Sequence, residues 1–326
     1  MTSDLPTALR LAIDRLLVGV SRSGLVNRAD KISRTYRAGK PSAGVIVDPS
    51  DAMAYALARL PATFAACAHA FLEAAIQVPD FAPKSLLDAG CGPAGSAWAA
   101  REAWPSLETI YLLDSNPVFL ALSADLAKEA DLPLHAATRI KADLTRPDGW
   151  PRADLVVASY ALAEIPVTEL NNTVAALWSI CEGLMVLIEP GTPDGWRRLL
   201  GARTQLLEAG AALVAPCPHS QTCPIAEPGD WCHFSQRLAR SRDHRRIKAA
   251  DAPFEDEKFV YLVVARDSVK IRSSSARILA RPNHPKPAIQ LKLCTPAGDL
   301  QLETIRKRDK TAFARARRLG WGDLYI

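Results

Sequence analysis

Residues 85–95 read Ser-Leu-Leu-Asp-Ala-Gly-Cys-Gly-Pro-Ala-Gly, a short apolar run that breaks into a glycine-rich turn, and an alanine-rich stretch follows to residue 103. Glycine has no Cβ, so a turn of this kind lets the backbone approach a ligand closely. The same alternation continues outward from this point. Thr109–Asp114 predicts a second strand and Pro117–Ala130 a second helix. Ile140–Asp143 ends a third strand, Leu155–Ser159 forms a fourth, and Leu184–Glu189 forms a fifth that Pro190 and Gly191 close. Strands that are apolar almost throughout, separated by helices, predict a parallel sheet covered on both faces. The expected class is therefore α/β.

A lone G-x-G-x-x-G pattern is shared by nicotinamide and flavin enzymes. Here Asp88 stands two residues before Gly90, and Cys91-Gly92-Pro93 replaces the helix-opening turn that a pyrophosphate needs. An acid in this place suits a ligand that carries a sulfonium and an amino-acid group but no phosphate, which describes S-adenosylmethionine. Asp88 is expected to accept from the ligand's amino group, with Gly90, Gly92 and Gly95 shaping the loop. Asp114 is placed for the ribose hydroxyls and Asp143 for the adenine amino group, while Ser159 and Tyr160 would line the pocket near the methyl. All these positions fall at carboxyl ends of predicted parallel strands, where open α/β sheets bind ligands. A single acid of this kind could equally cap a helix or turn; the ordered set points to a cofactor. Over about residues 80–265 the chain resembles the class I S-adenosylmethionine-dependent methyltransferases, which implies a Rossmann-like sheet.

The acceptor side is less explicit. Amino-directed nucleic-acid methyltransferases carry an Asn/Asp-Pro-Pro-aromatic motif after the fourth strand, whereas this chain has Ser159-Tyr-Ala-Leu-Ala-Glu164. No Cys-Pro dyad of the pyrimidine-attacking kind stands apart from the cysteine segment below. Tyr160 or Glu164 as a base competes with a plain core or loop role, so no catalytic residue is named.

With 326 residues and 48% hydrophobic content the chain can bury a sizeable core. No apolar run is long enough to span a bilayer. Early Asp4 and Asp14 argue against a secretory signal or a mitochondrial import sequence, so the expected setting is the cytoplasm of a bacterium, or the mitochondrion if the source is eukaryotic. A monomer is expected. Residues 1–80 read as helices, with a polar, basic stretch (Arg22, Arg28, Lys31, Arg34, Arg37, Lys40) that is either a loop or a surface helix. Four regions follow: an N-terminal helical region (1–80), the cofactor domain (81–214), a cysteine-rich and basic segment (215–250), and C-terminal strands with a basic β region and tail (251–326). A helix is expected over 193–213 and strands over 259–265, 288–294 and 300–305.

Seven cysteines in an intracellular chain do not suggest a disulfide framework. Cys67, Cys91 and Cys181 sit among apolar neighbours and read as inert core residues. Cys217, Cys223 and Cys232 cluster in the segment Pro216–Arg237, with Cys294 as a fourth candidate. Thiolates suit zinc or iron–sulfur clusters. Zinc ribbons bring their ligands in closer pairs, and Pro directly after Cys217 and Cys223 denies the backbone a helix, so the pattern favours a cluster-binding loop. His219 and His233 are alternative ligands.

The run Cys217-Pro-His…Cys223-Pro…Trp231-Cys-His-Phe…Gln236-Arg, together with Phe254–Leu262 and Leu293-Cys-Thr-Pro-Ala-Gly298, resembles the methyltransferase-like assembly factors of the mitochondrial small ribosomal subunit and their bacterial relatives. The resemblance implies a [4Fe–4S] cluster held by Cys217, Cys223, Cys232 and Cys294, with zinc as the alternative. It also implies association with small-subunit rRNA in the assembling subunit.

Charge is unevenly spread. Residues 231–326 hold 21 Lys and Arg against 10 Asp and Glu, while the other 230 residues hold 19 against 25. So basic a C-terminal part points to a polyanion such as RNA. The expected contacts are Arg237, Arg240, Arg245, Arg246 and Lys248, and further on Arg306, Lys307 and Arg308. Arginine predominates there, which suits phosphate contacts and base stacking. Two functions remain in view: an S-adenosylmethionine-dependent rRNA methyltransferase, and a non-catalytic rRNA-binding assembly factor that keeps the methyltransferase fold.

Overall fold

The computed structural model describes residues 4–37, 44–225, 229–272 and 275–325. Four helices come first: α1 (Thr7–Leu16), α2 (Arg22–Arg37), α3 (Pro49–Ala58) and α4 (Leu60–Gln77). The basic N-terminal stretch is thus a helix; Lys40 lies outside the described residues. Asp48 caps α3 by accepting from the N–H groups of Ser50 and Asp51 at 2.8 and 3.0 Å, and Arg28 of α2 bridges both carboxylates.

Alternation then begins with β1 (Ser85–Ala89), α5 (Gly95–Ala103), β2 (Thr109–Asp114), α6 (Pro117–Leu126), α7 (Leu132–His135) and β3 (Thr138–Lys141). It continues with β4 (Ala153–Ser159), a 3-10 turn at Leu162–Glu164, α8 (Val167–Ile180), β5 (Cys181–Pro190), α9 (Pro193–Glu208) and β6 (Ala212–Ala215). The expected helix over 193–213 therefore ends early. Gly210 takes a left-handed φ of 79°, the usual way to stop a helix, and the β-prone residues after it join the sheet. The remaining elements are β7 (Phe234–Ala239), α10 (Arg242–Ile247), β8 (Phe254–Ala265), β9 (Ala276–Ile278), β10 (Ala288–Cys294), β11 (Leu300–Arg306), α11 (Lys310–Ala316) and β12 (Leu324–Tyr325).

The main sheet runs β3-β2-β1-β4-β5-β8-β6, and β7 also pairs with β8. Strands β1 to β5 are parallel; β8 is antiparallel to β5, β6 and β7. This is a Rossmann-like sheet, with a helical N-terminal region and a separate small sheet, β11-β10-β9-β12, at the C-terminus.

Alternate residues of each strand enter two different cores, as the period of two requires. Leu86, Leu155, Val157, Leu184, Val186 and Val263 pack beneath the N-terminal helices, α5 and α6. Leu87, Val156, Ala158, Met185, Leu187 and Val264 pack against α8 and α9. With both faces covered, only the carboxyl edge of the sheet stays open. The chain order reverses between β1 and β4, and the glycine loop sits at that switch point.

Candidate functional site

A cavity of about 1790 Å³ lies along this carboxyl edge. Loops after successive strands build it. Gly90, Gly92, Gly95, Asp114, Asp143, Ser159 and Tyr160 all line it, so the topology brings together seven of the eight residues expected for the cofactor. Gly90 has φ 71°, and a Cβ there would stand 2.5 Å from Ala161 Cβ; the loop needs glycine for both reasons. The Gly92 N–H donates to Asp114 Oδ2 at 2.7 Å, and Asn116 N–H donates to Asp114 Oδ1 at 2.8 Å. Asp114 is thereby oriented at the cavity wall. Asp143 is exposed and accepts from the Thr145 N–H at 2.9 Å.

The eighth residue, Asp88, is placed differently. It is fully buried behind the loop, where Ser96 Oγ donates to it and its Oδ1 has no partner among the described residues. Burial pushes its carboxyl up to about 7, and Asp114 adds to the rise. Asp88 therefore holds the loop from beneath; the cavity surface is formed by Ser96 and the glycines. Ser159 Oγ lies 3.2 Å from Cys67 Sγ, which places this hydroxyl against α4.

Several cavity residues carry no motif. Arg59, at the α3–α4 junction, donates to both carboxylate oxygens of Glu257 (3.4 and 3.1 Å), and Tyr160 Oη donates to Glu257 Oε1 at 2.9 Å. Burial pushes the Tyr160 phenol well above its ordinary range, with Glu257 adding to the rise, so it holds its proton. Glu189, at the end of β5, is wholly buried; it accepts from the Leu162 N–H at 2.9 Å, and burial pushes it up to about 8. An acid that ends a strand in an apolar run was the available signal for Glu189.

The cysteine segment forms a second, small pocket of about 50 Å³ between the main sheet and the C-terminal sheet. Cys217 follows β6, Cys223 lies in the next loop, Cys232 precedes β7, and Cys294 ends β10; all four line the pocket. Two buried arginines hold it. Arg203 of α9 donates to the carbonyls of His219 and Gln221 at 2.8 and 2.7 Å. Arg277 of β9 pairs with Glu73 and donates to the carbonyls of Pro216 (3.1 Å) and Gly322 (2.7 Å). Burial pushes the Cys294 thiol up to about 12 and the Cys217 and Cys232 thiols upward too, while Arg203 and Arg277 pull Cys217 the other way.

His219 Nε2 lies 3.3 Å from Cys294 Sγ, whereas His233 stacks on Trp231, 5.1 Å between centroids. Among the described residues no group of three or more His, Cys, Asp or Glu side chains is arranged to hold a single metal ion. The thiols share a pocket without closing on one point.

Cys67, Cys91 and Cys181 are buried in the core, as expected. The basic residues divide. Arg237 is spread over the Phe254 ring at 4.0 Å and paired with Asp256, while Arg240 and Lys248 are mostly buried against Glu255. Arg245, Arg246, Arg306, Lys307 and Arg308 are exposed, the first two on α10 and the others at the end of β11. No helix among the described residues is long and apolar enough to cross a membrane.

Among solved structures the chain is similar to the precorrin-6y C5,15-methyltransferase of Geobacter metallireducens GS-15 (19% identity, TM-score 0.41, 62% of this chain and 86% of that one). It is also similar to the N-methyltransferase NodS of Bradyrhizobium japonicum WM9 (12% identity, TM-score 0.41, 62% and 86%). By sequence it is 30% identical over 292 residues to the human ribosome assembly protein METTL17, mitochondrial, covering 83% of this chain and 62% of that protein. It is 26% identical over 341 residues to the Rsm22-cox11 tandem protein 2, mitochondrial, of Schizosaccharomyces pombe, covering 87% of this chain and 44% of that protein. The chain thus spans less than two thirds of the length of either relative. The family model for mitochondrial small ribosomal subunit Rsm22 matches residues 49–326, which contain the cysteine pocket and all of the first cavity's wall except its α2 side, and the chain belongs to that family.

Proposed function

We propose that this protein binds S-adenosylmethionine at the carboxyl edge of its parallel sheet, holds a [4Fe–4S] cluster in the cysteine pocket, and binds or acts on small-subunit rRNA during ribosome assembly. One observation carries the reading: the glycine loop, Asp114 and all four cysteines lie within the family-matched residues and line two separate cavities.

The first cavity fits the methyl donor. Its loop offers backbone without Cβ atoms, and Asp114 is held in place by two N–H groups, ready for a diol. When bound, S-adenosylmethionine supplies an electrophilic methyl group. Titration calorimetry should show saturable one-to-one binding; no heat at high protein concentration would remove this part of the reading.

The second pocket fits an iron–sulfur cluster. Four soft donors share it with two buried guanidiniums, and Arg203 Nε has no hydrogen-bond partner among the described residues. Buried positive charge of this kind stabilises an anionic group. Zinc would need four sulfurs about 2.3 Å from one point, whereas a cubane presents four separate irons. When bound, the cluster would supply a rigid cross-link between the β6–β7 segment and β10. Anaerobic purification should give a brown protein with iron and sulfide; a colourless protein with stoichiometric zinc would replace the cluster with the alternative.

The exposed arginines on α10 and β11 support contact with RNA phosphates, and the human relative's role supports a place in ribosome assembly. A second reading, a non-catalytic assembly factor, is favoured by one feature of the site. The Tyr160 phenol is raised well above its ordinary range by burial and tied to Glu257, so it supplies no ready base after β4. Labelled methyl transfer to assembling small subunits separates the two readings.

A further inference from the structure

A pocket for one small molecule occupies about 300–1,000 Å³, so the 1790 Å³ cavity exceeds what a methyl donor fills. It extends from Asp114 after β2 to Glu257 on β8, four strand spacings or about 19 Å. The last β5–β8 pair is Pro190 with Phe259. Residues 254–258 therefore overshoot the carboxyl edge and pair with β7, with the Lys258 carbonyl also accepting from Gly191 N–H at 3.0 Å. This ribbon walls the far end of the cavity.

Strand alternation puts Glu255 and Glu257 on one side of the ribbon. Glu257 accepts from Arg59 and Tyr160, and Glu255 accepts from Lys248 (2.5 and 2.7 Å) and Arg240 (3.2 Å). Three cations thus share two carboxylates here, and Glu164 lines the same cavity. The opposite end, with Asp114 and Asp143, is acidic.

The backbone is also unusual here. Of the described non-glycine residues, Ala94, Tyr160 and Ala249 have a left-handed φ (68°, 57° and 47°). Ala94 caps α5, and the other two line the cavity. A residue with a Cβ keeps that conformation only where its surroundings hold it. Tyr160 is held at both ends, by its N–H to Ile188 O at 2.7 Å and by its hydroxyl to Glu257. The result is a fixed aromatic ring beside a cluster of three cations.

We infer that this end of the cavity is a nucleotide compartment. It takes one unstacked nucleotide of a single-stranded RNA, with the base against the Tyr160 ring and the phosphate among Arg59, Arg240 and Lys248. An aromatic platform flanked by cations is the general recognition mode for a splayed-out ribonucleotide. Exposed Arg245 and Arg246 on α10 continue the positive track outward from Arg240 and Lys248. The inference rests on the RNA-binding reading above and adds where RNA enters.

Crosslinking of the full chain to a 4-thiouridine-containing hexaribonucleotide, followed by peptide mapping, tests it together with anisotropy titrations of the same probe. Crosslinks are expected within residues 159–165 or 240–257. Tyr160→Ala should weaken binding about 5- to 100-fold. Tyr160→Phe keeps the ring and gives up its tie to Glu257, so it should weaken binding less than Tyr160→Ala. Lys248→Gln, which leaves Tyr160 untouched, should also weaken binding and reduce its salt dependence. Crosslinks confined to Arg306–Arg308, with all three variants binding like the wild type, would overturn the compartment and leave RNA binding standing. No binding of the probe even at low salt would overturn both.

Discussion

The two cavities of this protein are built in opposite ways. The carboxyl-edge cavity is wide, and its walls combine loops that leave neighbouring strands with residues of α2 and the α3–α4 junction. The cysteine pocket is small and draws its donors from the β6–β7 segment and from β10 of the second sheet. A Rossmann-like sheet creates the first site wherever its chain order reverses, with or without a ligand. The second exists only because Arg203, Arg277 and their carbonyl partners hold irregular backbone in place. The comparison teaches that one site is a by-product of topology and the other a separate construction, so the two should respond differently to mutation.

The largest effect should fall on the cysteine pocket. Cys232→Ser is expected to lower bound iron from about four atoms per chain to well below that and to depress the melting temperature, while leaving S-adenosylmethionine titration near the wild-type value. Parallel loss of both ligands would break the separation of the sites. Next, Arg277→Leu leaves Glu73 and two carbonyls without their partner. It should cost about 3–5 kcal/mol in denaturant unfolding, against about 0.5 kcal/mol or less for a surface arginine such as Arg315→Ala.

The third prediction concerns pH. Asp88 has a carboxyl pushed up to about 7 in the fold, against an ordinary value of 3.8. The folded state binds the extra proton in this window, so the stability tied to that proton is present below about pH 4 and lost as pH rises through 7. Unfolding free energy of the ligand-free protein should therefore fall by on the order of 2–3 kcal/mol between pH 5 and 8 from this group. Asp88→Asn should flatten the slope; an unchanged slope would show that Asp88 is not its source.

Fourth, Asp114→Ala removes the acceptor of two loop N–H groups and should weaken S-adenosylmethionine binding about ten- to hundredfold, leaving iron content unchanged. The smallest effect is expected at the surface. Replacing Arg306, Lys307 and Arg308 by alanine should leave both cavities intact. It should reduce the slope of log affinity for RNA against log salt by about 2–3.

Much of the first cavity is legible in the residues themselves. Gly90, Gly92, Gly95, Asp114, Asp143 and Tyr160 are local features at strand ends, and the period of the strands says where those ends are. Arg59 and Glu257 are not legible. Arg59 interrupts an alanine-rich helical run, and Glu257 stands in an acidic run beside Glu255 and Asp256. Only the fold shows that they meet across about 200 residues of chain. Asp88 was legible as important but not as buried, because a strand-end acid can face either the ligand or the loop. Arg203 and Arg277 looked like two arginines among many. An arginine followed by Ile278 and Leu279 in a strand was the one available hint of burial.

The sequence by itself determined the parallel sheet, the position of the glycine loop, the cluster of Cys217, Cys223 and Cys232 and the basic C-terminal part. These depend on periodicity, composition and short-range spacing, which a chain carries without folding. Tertiary structure alone decided that Glu257 ties Arg59 to Tyr160, and that Arg203 and Arg277 frame the thiols. It also decided that the β7–β8 ribbon extends the glycine-loop cavity beyond a cofactor's length. Such pairings depend on which distant residues the strand order brings to the same edge, and no local pattern records that.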